Sequence, residues 1–286
     1  MDKLLDLPVA VYTPDSQMRT PGLLISSMWR DLKMSRELSW RLFVRDLSAQ
    51  YRQSLLGVLW AFIPPIVTSA IFIFLQSQNV VNFGETSVPY PAFVLISTIL
   101  WQMFTESVNA PLKSVTAAKP LLVKINFPRE SLVVSSFYLV LFNSLIKAII
   151  IAIVFLIFRL EPTWGLLLAP VAVFLLILLG IGIGLLVTPL GMLYTDIATG
   201  LPIVLQLLFF VTPVVYPPPE TFPFSLIAII NPISPLLIAA RDLITVGTIS
   251  NPVAFTLFSG LAIVLALVAW VIYRVMLPII IERMSA

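Results

Sequence analysis

The sequence predicts an all-α membrane protein with six transmembrane helices, preceded by an amphipathic helix at the membrane surface. Of its 286 residues, 59% are hydrophobic and only 11% are charged, and the mean hydropathy is +1.03. Soluble globular domains are roughly 45–50% apolar and about 25% charged. Long apolar stretches alternate with polar segments, and the basic residues are concentrated on a few of those segments. Together these observations predict a chain that crosses the bilayer several times.

The composition also limits the chemistry that the chain can perform. It contains no cysteine and no histidine. This removes thiol nucleophiles, the commonest soft metal ligands and the usual general base near neutral pH. We therefore expect neither an enzyme nor a metal site.

Residues 36–56 are predicted to form an interfacial helix that lies on the membrane. At helical spacing, its apolar side chains share one face: Trp40, Phe43, Val44, Leu47, Tyr51 and Leu55. Arg41, Arg45 and Arg52 fall together on another face, and Asp46 is the fourth charged residue predicted to act in this helix. Such a division is typical of helices in the lipid headgroup region. The alternative is a soluble helix packed on a domain, but residues 57–75, which follow, carry no charge at all.

Six apolar stretches are predicted to cross the membrane, within a single transmembrane domain that covers residues 1–286. A cytoplasmic lead-in, 1–35, and the interfacial helix precede the six-span region, 57–286. The predicted spans are 57–76, 92–110, 132–158, 165–190, 201–216 and 253–281. Pro64 and Pro65 are predicted to kink the first span. In the fourth span, Gly180 and Gly184 have the spacing that lets helices approach closely.

The segment between the last two spans is the most irregular. Residues 217–244 contain six prolines, which divide the segment into two apolar pieces. A span needs about 20 residues, so neither piece is long enough to cross. We expect 222–230 and 236–244 to form short half-helices that enter the membrane from outside.

The basic residues predict the orientation. Eight lysines or arginines precede Gly57, four lie within 111–130 and two follow Tyr273. These segments are separated by even numbers of predicted spans. The positive-inside rule therefore places both termini in the cytoplasm.

Two ionisable residues fall inside predicted spans. Glu106 lies in the second span and Lys147 in the third. A charge in mid-membrane costs about 2.5 to 3.5 kcal/mol, so both should face protein or water. We predict that they pair and hold the two spans together. A proton relay is the alternative, but one acid and one base without histidine make a poor relay.

Three segments carry a resemblance to a known family: WRLFVRDLSAQYRQSLLGVLWAFIPP (40–65), LLVKINFPRESL (121–132) and LQLLFFVTPVVYP (205–217). On these segments the chain resembles the membrane subunits of polysaccharide-exporting ABC-2 type transporters, which include O-antigen, capsule and teichoic acid permeases. The resemblance runs from about Trp29 onward. The family often has an arginine before the aspartate that follows the fourth span. Tyr194 and Thr195 precede Asp196 here, so an inherited salt bridge is in doubt.

The resemblance implies a cytoplasmic coupling helix between the second and third spans. In residues 117–132, apolar side chains flanked by charges suit a short helix pressed into a groove on a partner. The predicted coupling residues are Leu122, Lys124, Phe127, Pro128, Arg129 and Glu130. The alternative is a basic loop that only orients the protein.

A conduit for sugars needs aromatic faces and sparse polar groups. The predicted substrate-channel rings lie in spans one and five: Trp60, Phe62, Phe72, Phe209, Phe210 and Tyr216. Polar side chains on the same spans are Thr68, Ser69, Gln206 and Thr212. The alternative for each ring is a position facing lipid or in an interfacial belt. The resemblance also implies an external gate, for which the candidates are Pro217, Phe222, Asn231 and Pro232.

The sequence thus predicts the permease subunit of an ATP-driven exporter of lipid-linked polysaccharide, most similar to O-antigen permeases, in the bacterial inner membrane. None of its eleven glycines is followed by lysine, so the phosphate-binding loop of ATPases is absent. We expect this chain to bind no cofactor. ATP and Mg2+ would be bound by a separate ATPase subunit, present in two copies, and the permease would form a homodimer around a pore. No nucleic acid partner is expected.

Three other functions are weighed against this one. An exporter of teichoic acid, capsule or a small hydrophobic drug would share the architecture, although the interfacial helix and the proline-rich hairpin favour polymers. A membrane-embedded polyprenyl-phosphate glycosyltransferase would need clustered acidic residues on a cytoplasmic loop to hold Mg2+, and these loops are basic. An ion-coupled carrier would show inverted repeats, and none is evident.

Overall fold

A computed structural model of the chain describes residues 21–52, 57–81, 84–124, 128–219, 222, 225 and 230–285. Across these residues there are nine α-helices and no strand. The helices are α1 Pro21–Met34, α2 Arg36–Arg52, α3 Ile63–Ser77, α4 Tyr90–Lys124, α5 Glu130–Phe158, α6 Ala169–Leu193, α7 Thr195–Val211, α8 Ile233–Thr245 and α9 Pro252–Ser285. Short 3-10 helices precede α3, at Gly57–Ala61, and α6, at Trp164–Leu167. The predicted all-α class is confirmed.

Within the part of the chain that the structure describes, five helical stretches are long and apolar enough to cross a membrane. They are Leu59–Ser77, Tyr90–Pro120, Glu130–Phe158, Ala169–Leu193 and Pro252–Ile281. The predicted fifth span corresponds to α7, which has 17 residues and is shorter than the others. At roughly 1.5 Å per residue, 17 residues extend about 26 Å, less than the hydrocarbon thickness of about 30 Å. The count of six crossings therefore stays a prediction.

The second span is longer than predicted. The sequence analysis ended it at residue 110 and placed a separate coupling helix within 117–132, but α4 continues without a break to Lys124. Pro111 and Pro120 lie inside this helix. Buried side chains on the continuation, including Val115 and Ala118, pack into the core and hold the helix across both prolines.

The predicted kink in the first span is also corrected. Pro64 and Pro65 occupy the first turn of α3, directly after the 3-10 helix Gly57–Ala61. Amide groups in the first turn of a helix have no intrahelical partner, so proline is tolerated there. The two prolines start the helix and do not bend it.

The N-terminal helices cover one side of the bundle. The predicted lead-in, 1–35, contains α1, which begins at Pro21. The interfacial helix, α2, packs on α5, where the Phe43 ring lies 6.1 Å from both Tyr138 and Phe142. The predicted apolar stripe of α2 divides: Phe43 is buried, whereas Trp40 is 57% exposed. Leu42, which is not part of that stripe, is also buried.

The fourth span, α6, packs closely because of its glycines. Gly180 and Gly184 face α4, at Ser107 and Val108, whereas Gly182 faces Ala266 on α9. The predicted close approach at the glycine pair is confirmed. Small side chains let helix backbones come together, which in a membrane supplies much of the packing attraction.

Replacing Gly184 with alanine is expected to destabilise this packing. An added Cβ would lie 2.4 Å from the backbone oxygen of Val108, an atom that cannot rotate away. Overpacking costs about 1–3 kcal/mol, so the thermal unfolding temperature of the detergent-purified chain should fall. Gly260→Ala is the matched control because nothing lies within 4 Å of its added Cβ. Equal unfolding temperatures for the two variants would contradict the packing argument.

Candidate functional site

A polar stripe runs along one face of α4 and forms the floor of two adjacent grooves. Its residues are Thr98, Gln102, Thr105, Asn109 and Lys113, at intervals of four, three, four and four. Such spacing places side chains on one face of a helix. Both grooves share Gln102, Thr105 and Asn109. The stripe therefore connects two differently lined sections of one continuous surface.

The first section, the aromatic groove, is a cavity of about 550 Å³ between α3, α4 and α7. Its lining is Thr68, Ile71, Phe72, Thr98, Trp101, Gln102, Thr105, Asn109, Pro202, Leu205, Gln206, Phe209 and Phe210. No charged residue is among these described lining residues. Aromatic rings and neutral polar groups alternate along its walls.

The rings of the aromatic groove are organised around Phe209. Its ring centre lies 6.0 Å from that of Phe72, 5.8 Å from that of Trp101 and 5.3 Å from that of Phe210, with the last two pairs steeply inclined. Edge-to-face pairs at these distances are attractive. Phe209 is 8% exposed, but Phe210 is 56% exposed. Phe209 thus anchors the cluster, and Phe210 has a free face to offer to a ligand.

The predicted channel residues are distributed over both grooves. Phe72, Phe209 and Phe210 line the aromatic groove, together with Thr68 and Gln206. Trp60 lines the second groove. Phe62 packs against the hydrophobic core, and the Tyr216 hydroxyl donates to the carbonyl oxygen of Phe210 at 2.8 Å; neither residue lines a groove.

The second section, the charged groove, is a cavity of about 620 Å³ bounded by α2, α3, α4 and α5. Its lining is Gln50, Tyr51, Gly57, Trp60, Ala61, Pro64, Gln102, Thr105, Glu106, Asn109, Lys113, Asn143 and Lys147. The lining contains two lysines and one glutamate, so its net charge is +1.

The predicted pair of charges lies at this groove. The Lys147 ammonium donates to Oε2 of Glu106, and the Asn143 amide donates to Oε1 of the same carboxylate. The prediction that these residues join the second and third spans is confirmed. Lys147 is 5% exposed, and a charge buried to this degree needs such a partner.

The interfacial helix joins the same network through Tyr51. Its hydroxyl donates to Oδ1 of Asn143 at 3.2 Å. Burial, reinforced by the negative charge of Glu106, raises the pKa of the Tyr51 phenol. Hydrogen bonds thus link side chains on α2, α5 and α4 in sequence.

A second network holds the segment that follows α7. Arg241 on α8 is 2% exposed, and its Nη1 donates to the carbonyl oxygen of Pro213 at 2.9 Å and to the Ser97 hydroxyl at 3.3 Å. The guanidinium lies 4.2 Å from the centre of the Phe93 ring. Tyr90 donates to the carbonyl oxygen of Val215 at 3.0 Å. Buried donors on α4 and α8 thus fix the chain between α7 and α8.

Of the predicted gate residues, Asn231 takes part in this arrangement. Its amide donates to the Thr212 hydroxyl at 2.8 Å, and its Oδ1 accepts the backbone N–H of Ile233 at 3.0 Å. Pro232 directly precedes α8, Pro217 is half-buried and Phe222 is 80% exposed. The second predicted half-helix corresponds to α8, whereas most of the first, 222–230, lies outside the described residues.

Comparison with known proteins identifies the family. A family model described as ABC-2 type transporter matches residues 37–245, which include both grooves and α8. The chain belongs to the ABC-2 type transporter family. It is therefore a membrane subunit of a transporter.

Individual relatives of this ABC-2 chain come from several bacteria. The O-antigen export system permease protein RfbA of Myxococcus xanthus is 28% identical over 192 residues, 66% of this chain and 71% of the relative. RfbA of Klebsiella pneumoniae is 24% identical over 226 residues, 76% of this chain and 84% of the relative. The polysialic acid transport protein KpsM of Escherichia coli is 22% identical over 254 residues, 82% and 91% of the two chains.

Of the six predicted coupling residues of this ABC-2 chain, two are buried, two are half-buried and two have side chains outside the described residues. Leu122 is 7% exposed and packs in the core, and Glu130 is 5% exposed. This corrects their assignment as contact residues, because buried side chains cannot form a docking surface. Pro128 and Arg129 are half-buried. Phe127 and the side chain of Lys124 lie outside the described residues.

The carboxylate of Glu130 has an internal function instead. Arg274 on α9 donates to it through Nη1 and donates to Asp31 on α1 through Nη2, the latter at 2.6 Å. Arg274 thus joins α1 and the first turn of α5 to α9. A carboxylate in the first turn of a helix is also favoured by the helix dipole.

The charged residues of the interfacial helix remain at the surface. Arg41 pairs with Glu37 at 2.6 Å, and Arg45 donates from Nε to Asp46 at 2.8 Å. Arg52, the last residue of α2, is exposed. Exposed pairs of this kind contribute about 0–1 kcal/mol to stability, so these arginines are free to exchange partners.

Two functional features were missed by the sequence analysis. Gln102 and Asn109 were given no function, although their helical spacing with Thr105 and Lys113 marks a polar face of α4. Arg241 carried no comparable signal, because its partners lie far away in the sequence. Within the described part of the chain, no three His, Cys, Asp or Glu side chains come together to hold a metal ion.

Proposed function

We propose that this ABC-2 chain is the permease subunit of an ATP-driven exporter of a lipid-linked polysaccharide, with O-antigen as the polymer. The observation that carries the proposal is the groove along α4, which is lined by the ring of Phe210 and by the amides of Gln102 and Gln206. Aromatic rings can pack against the C–H faces of sugars, and side-chain amides can form hydrogen bonds with the sugar hydroxyls. The names of the RfbA relatives support the same substrate class.

The proposal includes partners and a location. The chain contains no phosphate-binding loop, so ATP and Mg2+ belong to a separate ATPase, in two copies. The docking surface would include α2 and the connection between α4 and α5, with Phe127 within it. A second copy of the chain would complete the groove as a homodimer. The protein would lie in the bacterial inner membrane with both termini in the cytoplasm, as the distribution of basic residues indicates.

Capsule export is the second candidate. It is favoured by the KpsM relative, whose alignment spans 82% of this chain. Both functions use the same groove and differ in the polymer that passes. Expression of the chain with its ATPase in strains that lack either the O-antigen permease or the capsule permease decides between them. Restoration of surface polymer in neither strain would refute polysaccharide export.

Replacing Phe210 with alanine is expected to reduce surface polymer in the restored strain. Loss of one aromatic contact of about 0.5–1.5 kcal/mol corresponds to a reduction between about twofold and tenfold. The measurement is polymer per cell at equal permease content. Phe74→Ala is the matched control, since Phe74 is 62% exposed but lines neither groove. An equal reduction by both variants would contradict the channel role of Phe210.

A further inference from the structure

We propose that the charged groove binds a phosphate group, with Lys113 as its main cationic contact. Among the described lining residues of the two grooves, charges occur only in the charged groove, where they sum to +1. The phosphate would belong to the lipid end of the transported molecule, and this assignment rests on the proposed function.

The two lysines of the groove have different surroundings. Lys147 is buried and its ammonium is neutralised by Glu106. Lys113 is exposed, lines the groove and forms no ion pair within the described residues. It lies four residues after Asn109, on the polar stripe. An ammonium without a carboxylate partner, facing a cavity of about 620 Å³, is suited to bind an anion.

Neutral groups around Lys113 favour a phosphate further. The amides of Gln50 and of Asn109, which lies one turn before Lys113 on α4, line the same cavity and have N–H groups that can donate to phosphate oxygens. Glu106 would repel an anion, but Lys147 and Asn143 both donate to its carboxylate and offset that charge. The network at Glu106 therefore reduces the repulsion that an anion in the groove would meet.

The position of the groove indicates where the phosphate comes from. Gln50 and Tyr51 lie at the end of α2, the helix predicted to rest among lipid headgroups, and Trp60 is 57% exposed beside them. Phosphates of lipids occupy that level of the membrane, and Trp is enriched there. The neighbouring aromatic groove would hold sugars, so a phosphate here would lie at the junction between lipid and polymer.

Equilibrium binding to the purified full-length chain tests the site. The probes are farnesyl diphosphate, farnesol with the same hydrocarbon chain, and inorganic pyrophosphate. We expect farnesyl diphosphate to bind more tightly than farnesol, and Lys113→Gln to weaken that binding about tenfold, the loss of one charge-assisted bond. Lys119→Gln is the matched control, because Lys119 is exposed on the same helix but lines neither groove.

Each outcome decides the proposal. Equal weakening by Lys113→Gln and Lys119→Gln, or no weakening by Lys113→Gln, would overturn it. Pyrophosphate binding as tightly as farnesyl diphosphate, with the same dependence on Lys113, supports the site and assigns it to a soluble anion. Unchanged thermal unfolding of Lys113→Gln establishes that the variant is folded. The assay contains no ATPase and no glycan, so failure of polysaccharide export in cells would leave its result standing.

Discussion

Replacing Lys147 with methionine is expected to lower the stability of the chain by about 3 kcal/mol, the low end of the range for breaking a buried ion pair. The variant would leave the Glu106 carboxylate with Asn143 as its remaining donor at this site. The lower end applies because 27% of the Glu106 side chain is exposed to the groove. Thermal or denaturant unfolding of the detergent-purified chain measures the effect.

A double replacement separates loss of the pair from loss of the lysine. Glu106→Gln combined with Lys147→Met removes both charges and should recover most of the lost stability, because a neutral amide is far less costly to bury. Lys113→Gln removes one lysine charge from the same groove without breaking an ion pair, and should leave stability unchanged. If Lys147→Met is as stable as Lys113→Gln, the pair does not hold α4 against α5.

Replacing Arg241 with methionine should loosen the connection between α7 and α8. The buried carbonyl oxygen of Pro213 and the hydroxyl of Ser97 would each lose a charged donor. Hydrogen bonds to charged groups contribute about 1.5–3 kcal/mol. The contact with Phe93 adds about 0.5–2 kcal/mol. We expect a stability loss of about 3 kcal/mol and faster hydrogen exchange in residues 212–216.

The site of faster exchange is as informative as the loss of stability. If Arg241 positions the segment after α7, protection should fall in residues 212–216 and in α8 while α5 stays unchanged. Arg159→Asn serves as the control, since Arg159 is exposed and its φ of 51° is one that asparagine tolerates. Uniform loss of protection across all helices would contradict a local positioning role.

Several features of this protein follow from local sequence patterns. Long apolar stretches predict membrane helices because the backbone must satisfy its own hydrogen bonds in lipid. An acid and a base at membrane depth predict each other, as Glu106 and Lys147 do. The glycines of α6 predict a close helix contact because small residues let helix backbones approach each other. In each case a strong physical requirement leaves one main solution.

The errors arose where local signals were overridden by packing. The second span was predicted to end at residue 110, yet buried side chains on both sides of Pro111 and Pro120 keep α4 continuous. Glu130, a charged residue in a basic segment, was expected to face a partner. It is buried because Arg274, 144 positions further along the chain, supplies its counter-charge.

Hydropathy and charge along the chain are thus sufficient to predict the class of protein, most of its helices and the buried pair of Glu106 and Lys147. Which aromatic rings meet, which face of α4 forms the grooves, and where Arg241 finds its partners depend on contacts between residues far apart in the sequence. Those contacts depend on how the helices rotate and approach each other, and no single segment contains that information.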